Sequence, residues 1–196
     1  MLFDNTTFEL NYGCELNISK YDDKDLLKLC VKDIKTKIEF RPHIQICGKT
    51  VRQSRNVGFF SDETYGFNYS GSIMKAQPVT NNLKKLMDSI NDKFDANFNG
   101  ILINEYVDGT NGIGAHSDNM QFLDPNAGVV TVSYGGSRDF IVRDKSTKKA
   151  VAKVCASSCS IIHMKGENFQ KKFTHEIPKT TIPTKTRYSF TFRCHN

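Results

Sequence analysis

Two stretches of the chain repeat apolar residues with the period of an α-helix. In the first, from Asp22 to Ile34, apolar side chains recur every three or four positions, and acidic residues gather at its start. In the second, from Gln77 to Phe94, one face is apolar, and Thr80 stands where a helix N-cap is expected. The pattern predicts two amphipathic helices that pack on the core, the first of them after an irregular N-terminal start.

From Gly100 onward the pattern predicts β-strands and no further helix. Short runs of β-branched and aromatic residues are separated by turns that contain Gly, Asp, Ser or Lys, as is typical of strands. Two helices followed by many short strands favour an antiparallel barrel or jelly roll in an α+β, mainly β chain. We expect one domain, with a helical extension over residues 1–40 and the core over residues 41–196.

The composition is that of a soluble globular protein. The chain has 196 residues, of which 38% are hydrophobic and 24% charged, which argues against disorder and against a membrane protein. Its start lacks a basic segment followed by an apolar one, so no secretory signal is expected. Six scattered cysteines without a Cys-x-x-Cys pair are typical of reduced thiols in an intracellular protein. The net charge of +6 favours attraction to a polyanion.

A glycine-rich stretch ends in the pair His116 and Asp118. On extended backbone this spacing places an imidazole and a carboxylate on the same face. A later histidine would complete a set of two histidines and one carboxylate, which suits Fe(II) and leaves three coordination positions open; zinc is not excluded. His175, in a predicted strand near the end of the chain, is the candidate. His163 lies in an apolar strand and suits a core position instead.

The last predicted strand runs from Arg187 to Arg193. Alternation gives it an aromatic face and a polar face, and both arginines belong to the polar one. A buried arginine is costly unless it meets an anion, and these two are about 20 Å apart, so they suit the two ends of a small dicarboxylate. Asn104 and Tyr106, two positions apart on one strand face, would add polar contacts. The alternative is a surface strand with solvated arginines.

The stretch from Arg52 to Gly71 holds five aromatic residues among glycines and arginines, without a helical period. It could form edge strands and turns of the core. The alternative is a lid over the site, since aromatic faces and cations together suit flat nucleobases.

Four motifs match a known family in order and spacing: Asn104-x-Tyr106, His116-x-Asp118, His175 and Arg187-x5-Arg193. They resemble the AlkB family of Fe(II)- and 2-oxoglutarate-dependent nucleic-acid dealkylases, and the likeness runs from about residue 44 to residue 193. The most similar branch is the eukaryotic and large-DNA-virus branch that acts on double-stranded DNA. The resemblance implies a double-stranded β-helix with helices packed on one sheet, and a nucleotide-recognition lid at about residues 41–75.

The resemblance also implies roles for individual residues. The iron ligands would be His116, Asp118 and His175. The residues around 2-oxoglutarate would be Asn104, Tyr106, Arg187, Ser189, Thr191 and Arg193. The residues that meet the base would be Arg55, Phe67, Tyr69 and Met120. The implied reaction uses O2 and removes N-methyl groups of the 1-methyladenine or 3-methylcytosine type from DNA, or from RNA, as formaldehyde. The implied protein is a monomer in the nucleus or cytoplasm, or in the cytoplasm of a virus-infected cell.

Three positions depart from the family pattern. Met120 replaces an acidic residue that contacts the base, Cys47 replaces an aromatic residue that probes the duplex, and Ser189 replaces a common asparagine. The preferred lesion, the strand state and the choice between DNA and RNA therefore stay open. Two other functions compete: a hydroxylase of a protein side chain or small molecule, and a non-catalytic nucleic-acid-binding β-barrel.

Overall fold

Two antiparallel β-sheets form the layers of the fold in this computed structural model, which describes residues 5–46, 48–69, 72–119, 124 and 127–195. The strands are β1 (Thr6–Leu10), β2 (Cys14–Lys20), β3 (His43–Ile46), β4 (Lys49–Arg52), β5 (Asn56–Phe60), β6 (Gly66–Tyr69), β7 (Ser72–Lys75), β8 (Gly100–Tyr106), β9 (Ile113–His116), β10 (Val129–Gly135), β11 (Arg138–Asp144), β12 (Ala150–Ala156), β13 (Ser160–Lys165), β14 (Phe173–Ile177) and β15 (Arg187–Arg193). The helices are α1 (Lys24–Ile34), α2 (Asn81–Phe94) and α3 (Phe169–Lys172).

The larger sheet has the strand order β1-β2-β13-β10-β15-β8-β5, and the smaller one has the order β12-β11-β14-β9. Side chains of both sheets meet in one apolar cluster, which includes Ile162 and Met164 from the larger sheet and Phe140 and Val142 from the smaller. Two hairpins, β3–β4 and β6–β7, form separate two-stranded sheets. The predicted mainly-β jelly roll is confirmed.

Helices α1 and α2 cover the outer face of the larger sheet. Their fully buried residues, such as Leu27 and Leu86, pack with Ile103 of β8 and Phe190 of β15 in one cluster. The Thr80 hydroxyl accepts a hydrogen bond from the Leu83 amide at 3.2 Å, as an N-cap should. The two predicted helices are therefore present, and their apolar faces point at the sheet. No helix among the described residues is long and apolar enough to cross a membrane.

The N-terminal segment differs from the expectation of an irregular start and a helical extension. Residues 6–20 form β1 and β2, joined by a 3-10 helical turn at Asn11–Gly13, and β2 pairs with β13, so the segment enlarges the main sheet. The physical reason is an alternation that the prediction overlooked: Cys14, Leu16 and Ile18 are buried, with polar residues between them. The expectation of strands alone after Gly100 is also wrong at α3, a single helical turn.

The aromatic stretch after Arg52 divides between core and surface. Phe59 and Phe60 lie in β5 and are fully buried, whereas Tyr65 is 75% exposed. The hairpin β3–β4 before β5 and the hairpin β6–β7 after it occupy the segment expected to form the lid. Cys47, the expected probe position, lies outside the described residues.

We expect Leu86→Ala to lower the free energy of unfolding by about 2–5 kcal/mol, because a fully buried leucine is lost from the helix–sheet interface. Urea unfolding followed by circular dichroism measures this change. Lys85→Ala, at the neighbouring exposed position, should change stability by no more than about 0.5 kcal/mol. Equal effects of the two variants would contradict the packing of α2 described above.

Candidate active site

The two faces of β15 separate the core from a cavity. Phe190 and Phe192 point into the cluster beneath the helices. The alternate residues Arg187, Ser189, Thr191 and Arg193 line a cavity between the two sheets. In the antiparallel register, Arg187 lies opposite Tyr106 and Ser189 lies opposite Asn104 on β8, so these residues line the same cavity. The structure thus brings together all six residues expected around 2-oxoglutarate.

The smaller sheet brings the two histidines of the predicted metal set together. His116 ends β9 and lies opposite His175 of β14 in the strand register, with ring centroids 4.3 Å apart. Asp118 follows two residues later, on the same side of the chain. One ligand atom from each of the three lies within 4.8 Å of the others. This is the one such group of potential metal ligands in the part of the chain that the structure describes.

Neighbouring groups orient these three side chains. The Nδ1 atom of His116 donates to the carbonyl of Gly114 at 2.9 Å, which leaves Nε2 as the free ligand nitrogen. The ring of His175 stacks on Phe140, with centroids 5.5 Å apart and planes at 14°. The amide of Asp118 donates to the side-chain carbonyl of Gln170 at 2.9 Å. Each ligand is therefore held by a contact outside the metal set.

The chemistry of the donor set fits Fe(II). Oδ2 of Asp118 and Nδ1 of His175 are buried and have no hydrogen-bond partner among the described residues. Buried polar atoms left in this way cost about 1–3 kcal/mol each, a cost that a bound cation would offset. Two imidazoles and one carboxylate are the ligands of mononuclear Fe(II) sites with open positions.

Burial sets the charges of the cluster. It lowers the pKa of His175 to about 3, with the neighbouring His116 adding to the effect, and it also lowers the pKa of His116. Both imidazoles are therefore neutral near pH 7, the state that binds a metal. Burial alone would raise the pKa of Asp118, but Arg193 and then the histidines outweigh it and lower that pKa. The carboxylate is ionised through its ion pair with Arg193.

At the other end of β15, Arg187 is a buried cation with spare donors. It is 1% exposed, its Nη2 donates to Ser133 at 2.9 Å, and its guanidinium carbon lies 5.2 Å from the centre of the Tyr106 ring. Burial lowers the pKa of Arg187, while Tyr106 acts in the opposite direction. Its Nε and Nη1 have no hydrogen-bond partner within the described ranges. Such a guanidinium suits a carboxylate, so the cavity also fits 2-oxoglutarate.

Arg193 and Arg55 have contacts that the sequence did not predict. Arg193 pairs with the Asp118 carboxylate of the metal set. Arg55, expected in the lid, is instead buried in the cavity wall, where its Nε donates to the Asn104 side-chain oxygen at 2.6 Å. Met120 lies outside the described residues, and so do the side chains of Phe67 and Tyr69 in β6.

Arg138 is a structural residue of the site that the sequence reasoning missed. It is buried at the start of β11 and donates to the carbonyls of Asp108, Asn111 and Pro178 at 3.1, 2.8 and 2.5 Å. These bonds tie the loop that precedes His116 to the loop that follows His175. Its guanidinium carbon also lies 5.8 Å from the Tyr106 ring centre. The signal available in the sequence was a charged residue, Arg138, at the first position of a strand whose alternate residues are apolar.

A jelly roll that holds two histidines and one carboxylate beside a buried arginine defines a class of protein, the mononuclear Fe(II) oxygenases. The family model of the 2OG-Fe(II) oxygenase superfamily matches residues 18–193. The chain belongs to that superfamily, whose members use Fe(II), 2-oxoglutarate and O2.

Individual relatives support the AlkB resemblance. Human "DNA oxidative demethylase ALKBH2" is 27% identical over 157 residues, which are 76% of this chain and 60% of the human protein. The mouse protein of the same name is 30% identical over 105 residues, 54% of this chain and 44% of that protein. The chain thus spans about half of the length of these curated relatives. "Uncharacterized protein R406" of Acanthamoeba polyphaga mimivirus is 27% identical over 82% of both chains.

A solved structure supports the fold. The structure of OsALKBH1 superposes with a TM-score of 0.61 at 17% identity, over 95% of this chain and all of that one. The expected likeness to the AlkB family, with eukaryotic and viral relatives, is confirmed.

Metal binding should depend on His175. We expect Mn(II), used as a redox-stable substitute for Fe(II), to stabilise the wild-type protein by about 2.7 kcal/mol at one hundred times its dissociation constant. His175→Ala should abolish that stabilisation, because it removes one of three ligands. Thermal unfolding with and without Mn(II) measures both values.

His163→Gln is the matched control for this experiment. His163 is also a buried histidine with a lowered pKa, but it bonds the carbonyl of Ala127 at 2.9 Å and does not belong to the cluster. This variant should retain the full Mn(II) stabilisation. If His175→Ala kept the Mn(II) stabilisation, His175 would not be a metal ligand.

Proposed function

We propose that this protein is an Fe(II)- and 2-oxoglutarate-dependent demethylase of N-alkylated bases in DNA, with RNA as the competing polymer. One observation carries the proposal: a single cavity is lined by His116 and His175, whose ligand atoms lie within 4.8 Å of that of Asp118, and by the buried Arg187 with its unpartnered nitrogens. The relatives named DNA oxidative demethylases support the choice of substrate. The 1-methyladenine and 3-methylcytosine type of lesion follows from the same likeness.

His116, Asp118 and His175 would hold the iron. Bound iron, with 2-oxoglutarate and O2, supplies the oxidation: one oxygen atom enters the N-methyl group, the other enters succinate, and CO2 leaves. The N-hydroxymethyl product would then release its O–H proton and formaldehyde, and the electrons of the broken C–N bond would return to the ring nitrogen as a lone pair. Arg193 keeps Asp118 ionised through its ion pair, so a charged oxygen is available to the metal near pH 7.

Arg187 would bind the distal carboxylate of 2-oxoglutarate. Its Nε and Nη1, which have no partner among the described residues, can donate to a carboxylate, while Nη2 donates to Ser133 and Tyr106 lies beside the guanidinium. Burial excludes water from this ion pair and strengthens it. Ser189 and Thr191 lie between the two arginines on the same strand face and would form the wall along the co-substrate. Arg193 and Asn104 would lie near its other end.

The target base must leave its stack to reach the metal, a step that costs least for a damaged or unpaired base. Arg55, Phe67, Tyr69 and Met120 would contact it, together with the exposed edge of His116. Arg55 lines the cavity beside Asn104, to which its Nε donates a hydrogen bond. Because Met120 accepts hydrogen bonds poorly, the exocyclic amine of the base would need another partner.

The turnover assay separates this proposal from its competitors. With Fe(II), ascorbate and 2-oxoglutarate, we expect equal amounts of formaldehyde and succinate from oligonucleotides that carry 1-methyladenine or 3-methylcytosine. His175→Ala should form neither product. Succinate that forms with peptides or small metabolites, and not with methylated DNA or RNA, would assign the chain to the other hydroxylases. Binding of oligonucleotides without any turnover would assign it to the non-catalytic barrels.

Arg187→Lys should raise the KM for 2-oxoglutarate by about 10- to 100-fold, because an ammonium cannot reproduce the two parallel hydrogen bonds of a guanidinium. Initial rates at a saturating concentration of methylated oligonucleotide measure the change. Arg143→Lys is the control, since Arg143 lies on β11 outside the cavity and pairs with Glu176 at 2.7 Å. An unchanged KM in Arg187→Lys would show that the co-substrate is bound elsewhere.

A further inference from the structure

One short segment of the chain is strongly basic. Residues 35–55 contain six lysines and arginines and a single acidic residue, Glu39. Their net charge of +5 compares with +6 for the whole chain. The segment leads from the end of α1 to the start of β5 and includes the hairpin β3–β4. Its charge is thus suited to attract a polyanion.

Within this segment an aromatic ring lies open to solvent beside two guanidinium groups. Phe40 is 64% exposed. The guanidinium carbons of Arg52 and Arg41 lie 5.2 and 5.9 Å from its ring centroid. Neither arginine forms an ion pair within the described part of the chain. Their charges are therefore available to an external anion.

The backbone beneath this ring is fixed. Glu39 and Val57 exchange two amide–carbonyl hydrogen bonds of 2.8 and 3.0 Å, and the Arg41 amide donates to the Asn56 side chain at 3.2 Å. Arg41 has a φ of +44° directly before Pro42, a conformation that both the side chain and the following proline disfavour. Such strain persists only where the surroundings enforce it, and it often marks a functional surface.

The ring also lies close to the candidate active site. Glu39 bonds to Val57 of β5, and Val57 lies opposite Asn104 of β8, whose side chain lines the cavity. Two strand spacings therefore separate the Phe40 segment from the cavity wall, about 10 Å. A nucleic-acid strand with one base in the cavity would reach this surface within a few nucleotides.

We propose that Phe40, Arg41 and Arg52 form a binding surface for unpaired nucleotides that flank the target base. Phosphates would pair with the two guanidinium groups, and one base would stack on the phenyl ring. An acidic peptide would use the charges but leave the ring without a stacking partner, and a duplex keeps its base faces covered. The open ring therefore favours a single strand. The assignment of the bound nucleotides as flanking ones rests on the proposed function, whereas the binding itself does not.

Fluorescence anisotropy with a labelled, unmethylated oligothymidylate tests this surface without any turnover. Phe40→Ala should weaken binding about tenfold, because the stacked base is lost, and should leave the salt dependence unchanged. Phe40→Trp keeps an aromatic ring for stacking and should bind with the affinity of the wild type. Arg41→Gln combined with Arg52→Gln should weaken binding and reduce the slope of log K against log salt by about 1.4, since each phosphate contact to a single strand contributes about 0.7.

The controls remove equal charge or apolar area elsewhere. Lys28→Gln combined with Lys32→Gln removes two exposed charges from α1, and Leu29→Ala removes an exposed apolar side chain there. Both should bind as the wild type does, within about twofold. Wild-type affinity in Phe40→Ala, or stronger binding of wild type to the matching duplex or to polyglutamate than to the single strand, would overturn the proposal. Oligothymidylate binding without demethylation of any substrate would overturn the proposed function and leave this surface standing.

Discussion

The alternation of β15 is the constraint on which the rest of the structure depends. The strand lies between β10 and β8 in the centre of the larger sheet, and every one of its residues is buried. Its aromatic face packs against α1 and α2, and its polar face supplies two of the cavity's arginines, Arg187 and Arg193. A shift by a single residue would put arginines under the helices and phenylalanines in the cavity. The register with β8 therefore fixes the core and the chemistry together.

The desolvation cost of burying Arg187 and Arg193 has to be offset by contacts, and these contacts differ between the two residues. Arg193 pairs with Asp118, a residue of the metal set, so its compensation is internal and keeps that carboxylate ionised. Arg187 has a serine, an aromatic ring and two unpartnered nitrogens, with no carboxylate bonded to it among the described residues. An anionic ligand at these two nitrogens would compensate the remaining cost. This asymmetry gives the cavity a direction, with the predicted metal set at one end and the buried guanidinium of Arg187 at the other.

Features that repeat with a period could be predicted from the sequence, whereas features that depend on long-range contacts could not. Helical spacing gave α1 and α2, and alternation gave the polar face of β15, because both follow from the geometry of a single element. The His116 and His175 pair could be anticipated as a set, but its closeness arises from the register of β9 with β14. Arg138 and Arg55 could not be placed, since each is defined by carbonyls or an amide far along the chain. Residues 6–20 were missed because their alternation is short and lies before a stronger helical signal.

Strand β5 connects the cavity with the cationic segment, and it does so as an edge strand. Its free side would expose unpaired backbone groups, which proteins normally cover. Here Glu39 bridges to Val57 and Gln77 bridges to Phe60, so the segments on either side of β5 cover the edge. The backbone that carries Phe40 is thus needed for the sheet, while the ring of Phe40 contributes little to the core. A substitution of the Phe40 ring can therefore change nucleic-acid affinity without changing stability, whereas a change in the backbone beneath it would affect both. Because the sheet needs this backbone, the strained conformation of Arg41 persists.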